Sequence, residues 1–264
     1  IVTSTTMTIG GVINPSFTVP KEPKGTNAEK AINKGIGFLK SRGENMDIAA
    51  YFVYRFLERK FNLPILGNEK AMTATREKLA AENREINVYR KLLNDNSETT
   101  KSQIEALKND INKRTATALH CDDFPIDETF VYDLQIMAVD GGYHLTHAMM
   151  ALQWAIENGC LEAFPKEVES AQEQFSKKLV TLITEAESFG DKEIEAIAML
   201  YYSGRADLVE NKWIKGVMSL QQEDGGWKAS EQSHSSSDHT TVLAIWILSE
   251  YLHPDRKPVN WIAD

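Results

Sequence analysis

The chain has 264 residues and a formal net charge of −9, with 42% hydrophobic and 25% charged residues. This length and composition are typical of a folded globular chain with a sizeable core. The acidic balance argues against non-specific binding to nucleic acid, which needs a basic surface, and no apolar run is long enough to span a membrane. The expected partner is a small neutral or cationic molecule, or none.

Residues 1–27 are rich in Thr, Ser, Gly and Pro, and they predict an extended arm ahead of a single domain at 28–264. This composition is typical of the spacer that follows a cleaved export signal, so we predict a secreted or periplasmic protein. Cys121 and Cys160 are too few for a disulfide framework. They form either one bridge or two free thiols, and the sequence does not choose between these.

Four segments of the chain share one plan, in which a polar-faced helix, a glycine-bearing turn and a more apolar second helix follow one another. They span about 28–61, 127–160, 167–204 and 206–252. Asp47, Asp191 and Asp238 lie near the starts of three of the second helices, where a carboxylate can cap a helix. No segment alternates with period two. We therefore predict an all-α fold of α-hairpin repeats.

Residues 68–118 depart from this plan. They are highly charged and have thin apolar stripes, with a spacing of seven that joins Leu79, Ile86 and Leu93. The pattern predicts an inserted charged helical hairpin that stands off the main body. Two interpretations stay open: an insertion with a solvated outer face, or an arm that binds a protein partner.

The most specific motif is QQEDGGW at 221–227. It resembles the Gln-Trp repeat of squalene-hopene cyclases and their relatives, and DGGY at 140–143 resembles a degenerate copy. The resemblance covers the last unit well and the second loosely, and it implies an α/α toroid or partial toroid with second helices on the inside. In such a turn the glycines allow the bend, the Gln amide bonds backbone at helix ends, and the aromatic packs on the next hairpin.

Protein prenyltransferases of the same superfamily hold zinc with an Asp-x-Cys pair and a later His-Thr. DHTT at 238–241 resembles the His-Thr element, whereas the nearest counterpart of the pair, HCD at 120–122, has a different order. The Asp-x-Asp-Asp-Thr run with which the cyclases protonate substrate is absent from the sequence. The resemblance thus implies an architecture, without a matching catalytic motif.

If the second helices begin at one rim, the polar residues at their starts converge there. His144 and His147 are three residues apart on one helix face, which suits a shared metal ion. His239, with Cys121 or Asp122, would complete the ligand set, and zinc is the candidate metal. The alternative is that these polar groups only cap helices and hydrogen-bond loops.

The same rim supplies the candidate functional residues. The candidate catalytic residues are Tyr143, His147, Asp238 and His239. The candidate ligand contacts are His144, Thr146, Trp227 and Thr240, although Trp227 also fits a turn-packing role.

The resulting functional hypothesis is an exported protein that binds a small ligand or glycan at the mouth of the inner helices. One alternative is an enzyme, either zinc-assisted or like a polysaccharide lyase, with Tyr and His as base and acid. The other is a non-catalytic scaffold that binds a protein partner through 68–118. The sequence does not decide whether the protein is an enzyme.

Overall fold

The computed structural model describes residues 27–66, 84–93 and 97–262. Within these ranges the regular structure is helical, with eleven α-helices, four short 3-10 helices and no strand, so the all-α prediction is confirmed. Nearly all of the predicted N-terminal arm and residues 68–83 and 94–96 of the predicted insertion lie outside the described residues.

The α-helices follow one another in hairpins. In chain order they are α1 Asn27–Arg42, α2 Ile48–Phe61, α3 Arg84–Asn87, α4 Lys101–Glu105, α5 Asp110–Leu119, α6 Glu128–Met137, α7 Gly142–Glu157, α8 Pro165–Thr184, α9 Asp191–Tyr202, α10 Asn211–Ser219 and α11 Asp238–Leu252. The pairs α1–α2, α6–α7, α8–α9 and α10–α11 fall at the four predicted units.

Local chemistry sets where the second helices begin. The Asp47 carboxylate accepts from the backbone N–H groups of Ala49 and Ala50, and the Ser237 hydroxyl accepts from the N–H of Thr240. Each cap satisfies N–H groups that have no partner within the first helical turn. Gly43, which follows α1, has φ +52°, a backbone conformation that favours glycine.

The second helices pack side by side. α2 packs on α11, α11 on α9, α9 on α7, and α7 on α5. Of the first helices, α1 and α10 pack on α11, while α6 and α8 pack on α7. The burial patterns agree with these positions. Every residue from Thr240 to Glu250 of α11 is buried, whereas α8 buries mainly a stripe that includes Ala171, Phe175 and Leu179. A helix that is apolar all round needs neighbours on every side.

The 221–227 turn joins the last hairpin to the first. The Gln221 side-chain amide donates to the carbonyls of Ala31 and Gly225, both at 2.8 Å. Trp227 is fully buried, donates from Nε1 to the carbonyl of Val217, and packs so closely on Gly35 that a Cβ there would lie 2.9 Å from its ring. The roles predicted for the glycines and the aromatic are thus observed in this turn. The Gln amide bonds a carbonyl within α1 and one within the turn, where backbone at helix ends was predicted.

The expectation of a hairpin that stands off the body is wrong for the described part of 68–118. The longest helix of that part, α5, packs along α7, and the hydroxyl of Tyr89 hydrogen-bonds the carbonyl of Asn112 and the hydroxyl of Thr115. The thin apolar stripe is therefore used to contact the body. The Asn109 side chain caps α5 by accepting from Asn112 N, which separates α4 from α5 where one helix was predicted.

Cys121 and Cys160 form a disulfide, with their Cα atoms 6.1 Å apart. The bond joins the segment after α5 to the segment after α7, and it decides between the two alternatives that the sequence left open. Among the described helices, none is both long and apolar enough to cross a membrane.

Candidate functional site

A cavity of about 270 Å³ lies among α2, the 85–92 segment, α5, α7, α9 and α11. Most of its wall is apolar or aromatic: Phe52, Tyr89, Met150, Trp154, Met199 and Trp261. The rings of Trp154 and Trp261 meet edge to face, with centroids 5.6 Å apart. The indole N–H of Trp261 is buried without a hydrogen-bond acceptor in the described part of the chain. That of Trp154 is also buried, and the Tyr202 hydroxyl beside it does not reach normal hydrogen-bond geometry. Such groups are uncommon, because an unmade buried hydrogen bond costs about 1–3 kcal/mol.

Polar side chains near the starts of the second helices line the same cavity. They are Asp47, His147, Glu195 and His239. Residues later in these helices, such as Trp154, Met199 and Leu243, supply the apolar part of the wall. The cavity therefore has an apolar body and one polar region, as is common in sites for small molecules.

Asp191, the first residue of α9, is the centre of one half of this polar region. Its two carboxylate oxygens each lie 3.1 Å from Nδ1 of His239. The hydroxyl of Tyr143 donates to Oδ2 at 2.8 Å, and the hydroxyl of Thr240 donates to Oδ1. Residues from α7, α9 and α11 therefore meet at this one carboxylate.

Glu195 lies one turn further along α9 and faces His147. Its Oε1 is 3.2 Å from Nδ1 of His147, which also lies 2.9 Å from the carbonyl of Tyr143. The Glu195 residue is only 4% exposed, and its Oε2 makes no hydrogen bond of normal geometry with the described residues. One donor atom each from Asp191, Glu195 and His239 lie within 4.8 Å of one another.

The two His–carboxylate pairs perturb the pKa values of their members. Burial alone would lower the pKa of His239, but the hydrogen bond and charge of Asp191, with the charges of Glu195 and Asp47, raise it to about 9. Burial likewise opposes charge on His147, yet the charge and hydrogen bond of Glu195 raise its pKa above the usual value.

The carboxylates respond in the opposite direction. Burial alone would raise the pKa of both carboxylates. The hydrogen bond and charge of His239 nevertheless hold the pKa of Asp191 below its usual value, and the charge and hydrogen bond of His147 do the same for Glu195. Neighbouring hydroxyls lower both pKa values by smaller amounts. Within each pair, the partner therefore favours the charged form of the histidine and of the carboxylate.

Tyr143 has a pKa raised by burial and then by the charge and hydrogen bond of Asp191. Its phenol stays protonated and donates to that carboxylate. This arrangement does not favour the predicted role of Tyr143 as a catalytic base, because a base must first lose its proton.

Several other predicted site residues serve the framework. Asp238 is 8% exposed, pairs with Arg42 and accepts from the N–H of Asp47, outside the cavity wall. Trp227 is fully buried in the 221–227 turn. Thr146 and Thr240 are fully buried behind the polar region, where Thr146 donates to the carbonyl of Tyr143.

The structure does not assemble the predicted metal ligand set. His144 is half-buried and lies outside both the cavity wall and the group of converging donor atoms. The sulfur of Cys121 is bonded to Cys160 and is not available to a metal. Asp122 pairs with Nζ of Lys91 at 2.6 Å. Of the five predicted ligands, only His147 and His239 line the cavity.

Asp191 and Glu195 are the functional candidates that sequence reasoning missed. Asp191 was recognised only as a residue near a helix start. The sequence contained a clearer signal, because Glu195 is the one charged residue in the apolar run from Ile194 to Leu200. In the structure all residues of this run are buried. A charged residue on such a helix needs a partner, and a partner on another helix indicates a site.

A larger recess, of about 530 Å³, lies at the other ends of the second helices. Its most buried charges are Lys60 and Glu250, which pair with each other at 2.5 Å, and the Glu250 carboxylate also accepts from Nε1 of Trp246. Since this ion pair is already matched, the smaller cavity with its unmatched donors and acceptor is the stronger candidate site.

No protein-family model, curated protein or solved structure matches this chain. The resemblance of the 221–227 motif to the cyclase repeat therefore stays a prediction carried by the motif.

Proposed function

We propose that this protein binds a small organic molecule in the cavity among its second helices. The observation that carries this proposal is an aromatic cavity of about 270 Å³ with two buried indole N–H groups. That of Trp261 has no acceptor among the described residues, and that of Trp154 has only the Tyr202 hydroxyl, outside normal hydrogen-bond geometry. A ligand with an apolar body and a hydrogen-bond acceptor would fill the space and satisfy these donors. Its other polar end would meet His147, Glu195 and His239.

The size of the cavity selects between the ligand classes predicted from the sequence. Sites for drug-sized molecules have volumes of about 300–1,000 Å³, so a cavity of about 270 Å³ suits a compact molecule rather than a chain of sugars. We therefore favour a small ligand over a glycan, and binding over polysaccharide cleavage.

The architecture that we propose for this function is a shortened α/α toroid. The row of α2, α11, α9, α7 and α5 supports it, because residues from all five helices line one cavity. The 84–93 and 97–119 segments contribute Glu85, Tyr89 and Thr115 to the wall, so in this proposal they complete the cavity instead of serving as a partner-binding arm. Export to an oxidising compartment is part of the proposal and is supported by the disulfide.

A neutral fluorescent probe tests the binding function. We expect N-phenyl-1-naphthylamine to bind the parent at one site, with enhanced emission that small apolar fragments reduce by competition. Met150→Trp adds bulk at a half-buried position of the wall and should abolish binding. Ile136→Trp, at a 52% exposed position outside the wall, is the matched control and should bind like the parent. Equal binding by both variants would contradict the proposal.

A further inference from the structure

The polar region of the cavity has features that a hydrogen-bond network alone does not use. Donor atoms of Asp191, Glu195 and His239 lie within 4.8 Å of one another. Two of them, Nδ1 of His239 and an Asp191 oxygen, are already 3.1 Å apart. Ligand atoms of a tetrahedral zinc ion lie roughly 3.3 Å from one another, given bonds of ~2.0 Å. The His239–Asp191 distance is therefore near the spacing that one ion imposes, and the donor atom of Glu195 lies within 4.8 Å of both.

Glu195 supplies an independent observation. Only 4% of this residue is exposed. Its Oε1 contacts His147, whereas its Oε2 has no hydrogen bond of normal geometry with the described residues. The hydroxyl of Thr146 is the nearest other donor and has a small effect on Glu195, but it donates its proton to the carbonyl of Tyr143. A buried carboxylate oxygen that lacks a full hydrogen bond is costly. A cation between Glu195, Asp191 and His239 would satisfy this oxygen.

The surroundings of the three donors resemble an outer coordination shell. Hydroxyls of Tyr143 and Thr240 donate to the two oxygens of Asp191, and His147 fixes Glu195 through Oε1. Outer-shell bonds of this kind orient metal ligands and tune their affinity. They do not by themselves create a site, but here they hold both carboxylates on the side of α9 that faces His239.

We propose that Asp191, Glu195 and His239 bind one divalent transition-metal ion at the polar region of the cavity, with His147 as a positioning residue. Imidazole nitrogen suits zinc and its first-row neighbours, whereas calcium and magnesium prefer ligand sets made only of oxygen. The charge of two carboxylates matches that of one divalent cation. Three protein ligands leave a coordination position open, as in catalytic zinc sites, and Glu195 and His239 lie in the cavity wall.

This inference differs from the sequence prediction in its ligands, because two carboxylates of α9 replace His144, Cys121 and Asp122. It does not depend on the proposed organic ligand, since the ion is tested without it. Conversely, the fluorescent probe is tested on the metal-free protein, so the result of that experiment is independent of whether the protein binds a metal ion.

Calorimetric titration of the chelator-treated, full-length protein with Zn²⁺ tests the inference. We expect one equivalent to bind, with no displacement by excess Ca²⁺ or Mg²⁺. Glu195→Gln removes the charge with little change in shape and should weaken binding by more than about tenfold, as should His239→Gln, since even outer-shell changes cost about 10–100-fold. His144→Gln, on the same helix as His147 but outside the cluster, is the control and should bind like the parent.

Two results would overturn the inference: no stoichiometric Zn²⁺ binding by the parent, or equal binding by Glu195→Gln and the parent. Far-ultraviolet circular dichroism identifies a variant that fails to fold. Anomalous scattering at the zinc edge from crystals of the parent gives a measurement without any variant. A peak bonded to Asp191, Glu195 and His239 supports the site, and a peak elsewhere, or none, rejects it.

Discussion

Asp47, Asp191 and Asp238 occupy similar places at the starts of α2, α9 and α11, yet their contacts differ. Asp47 caps its own helix, Asp191 bonds His239, and Asp238 binds Arg42 and the backbone of Asp47. A similar position in a repeat therefore does not give a residue the same role. The cross-helix partner decides whether the carboxylate supports the fold or the cavity.

Asp238→Asn should lower the free energy of unfolding by about 1–2 kcal/mol, because the N–H of Asp47 and the half-exposed Arg42 lose a charged acceptor. Urea denaturation measures this change. Asp207→Asn disrupts an exposed pair with Arg205 and should cost less than about 0.5 kcal/mol. Loss of probe binding by Asp238→Asn at unchanged stability would instead return Asp238 to the functional site.

His120 predicts a pH dependence of stability. It is 1% exposed, with Nε2 2.7 Å from the carbonyl of Val88. Burial, helped by the charge of Lys91, lowers its pKa, although the Val88 carbonyl, Asp122 and Asp123 act in the opposite direction.

The unfolded chain takes up this proton near the usual pKa of 6.5, and the folded chain only at lower pH. The contribution of His120 to the free energy of unfolding is therefore complete above pH 6.5, and it is lost as the pH falls towards the pKa of His120 in the folded chain. We expect the parent to lose more free energy of unfolding than His120→Gln between about pH 7.5 and about pH 5. Parallel curves for the two proteins, obtained by urea denaturation at each pH, would contradict this explanation.

At the scale of elements, the 221–227 turn adds to the helix packing that holds the last hairpin against the first. Gly225 has φ +91°, and a Cβ there would lie 2.5 Å from the carbonyl oxygen of Lys34. Gly225→Ala should therefore destabilise the protein by more than about 1 kcal/mol.

Gly216, within α10, is the matched position, because a Cβ there meets nothing within 4 Å. Gly216→Ala should stabilise the protein by about 0.5–1 kcal/mol, since alanine is the better helix former. Thermal unfolding of both variants checks the pair. A Gly225→Ala protein as stable as Gly216→Ala would show that the close approach to α1 is not needed.

The hairpins were predictable because each depends on local signals: an apolar helix face, a glycine turn and a polar cap such as Asp47 or Ser237. The cavity was not, because Glu195, His147 and His239 come from three hairpins, and the sequence does not fix their rotation towards one another. The 68–118 prediction failed in its described part for a related reason. Its charges suggested solvent, but residues such as Tyr89 and Ile111 contact the main core.

At the scale of the whole molecule, the Cys121–Cys160 bond closes a loop with a sequence separation of 39 and joins the ends of two wall helices. In the chain-entropy treatment, a loop of this length contributes about 4 kcal/mol to stability. The Cys121→Ser/Cys160→Ser double variant should lose about 2–4 kcal/mol in urea denaturation. The parent in reducing agent should match the variant, and an unchanged midpoint after complete reduction would argue against a stabilising bond.

The proposed function depends most on the cavity as a binding site, and crystals of the parent soaked with small aromatic fragments test this directly. We predict density for a bound fragment between Trp154, Met199 and Trp261, with an acceptor atom in hydrogen-bond range of an indole N–H. The larger recess beside Lys60 and Glu250 should stay free of fragment at the same concentration. Fragments bound only in that recess, or a cavity filled by the protein's own side chains, would contradict the account.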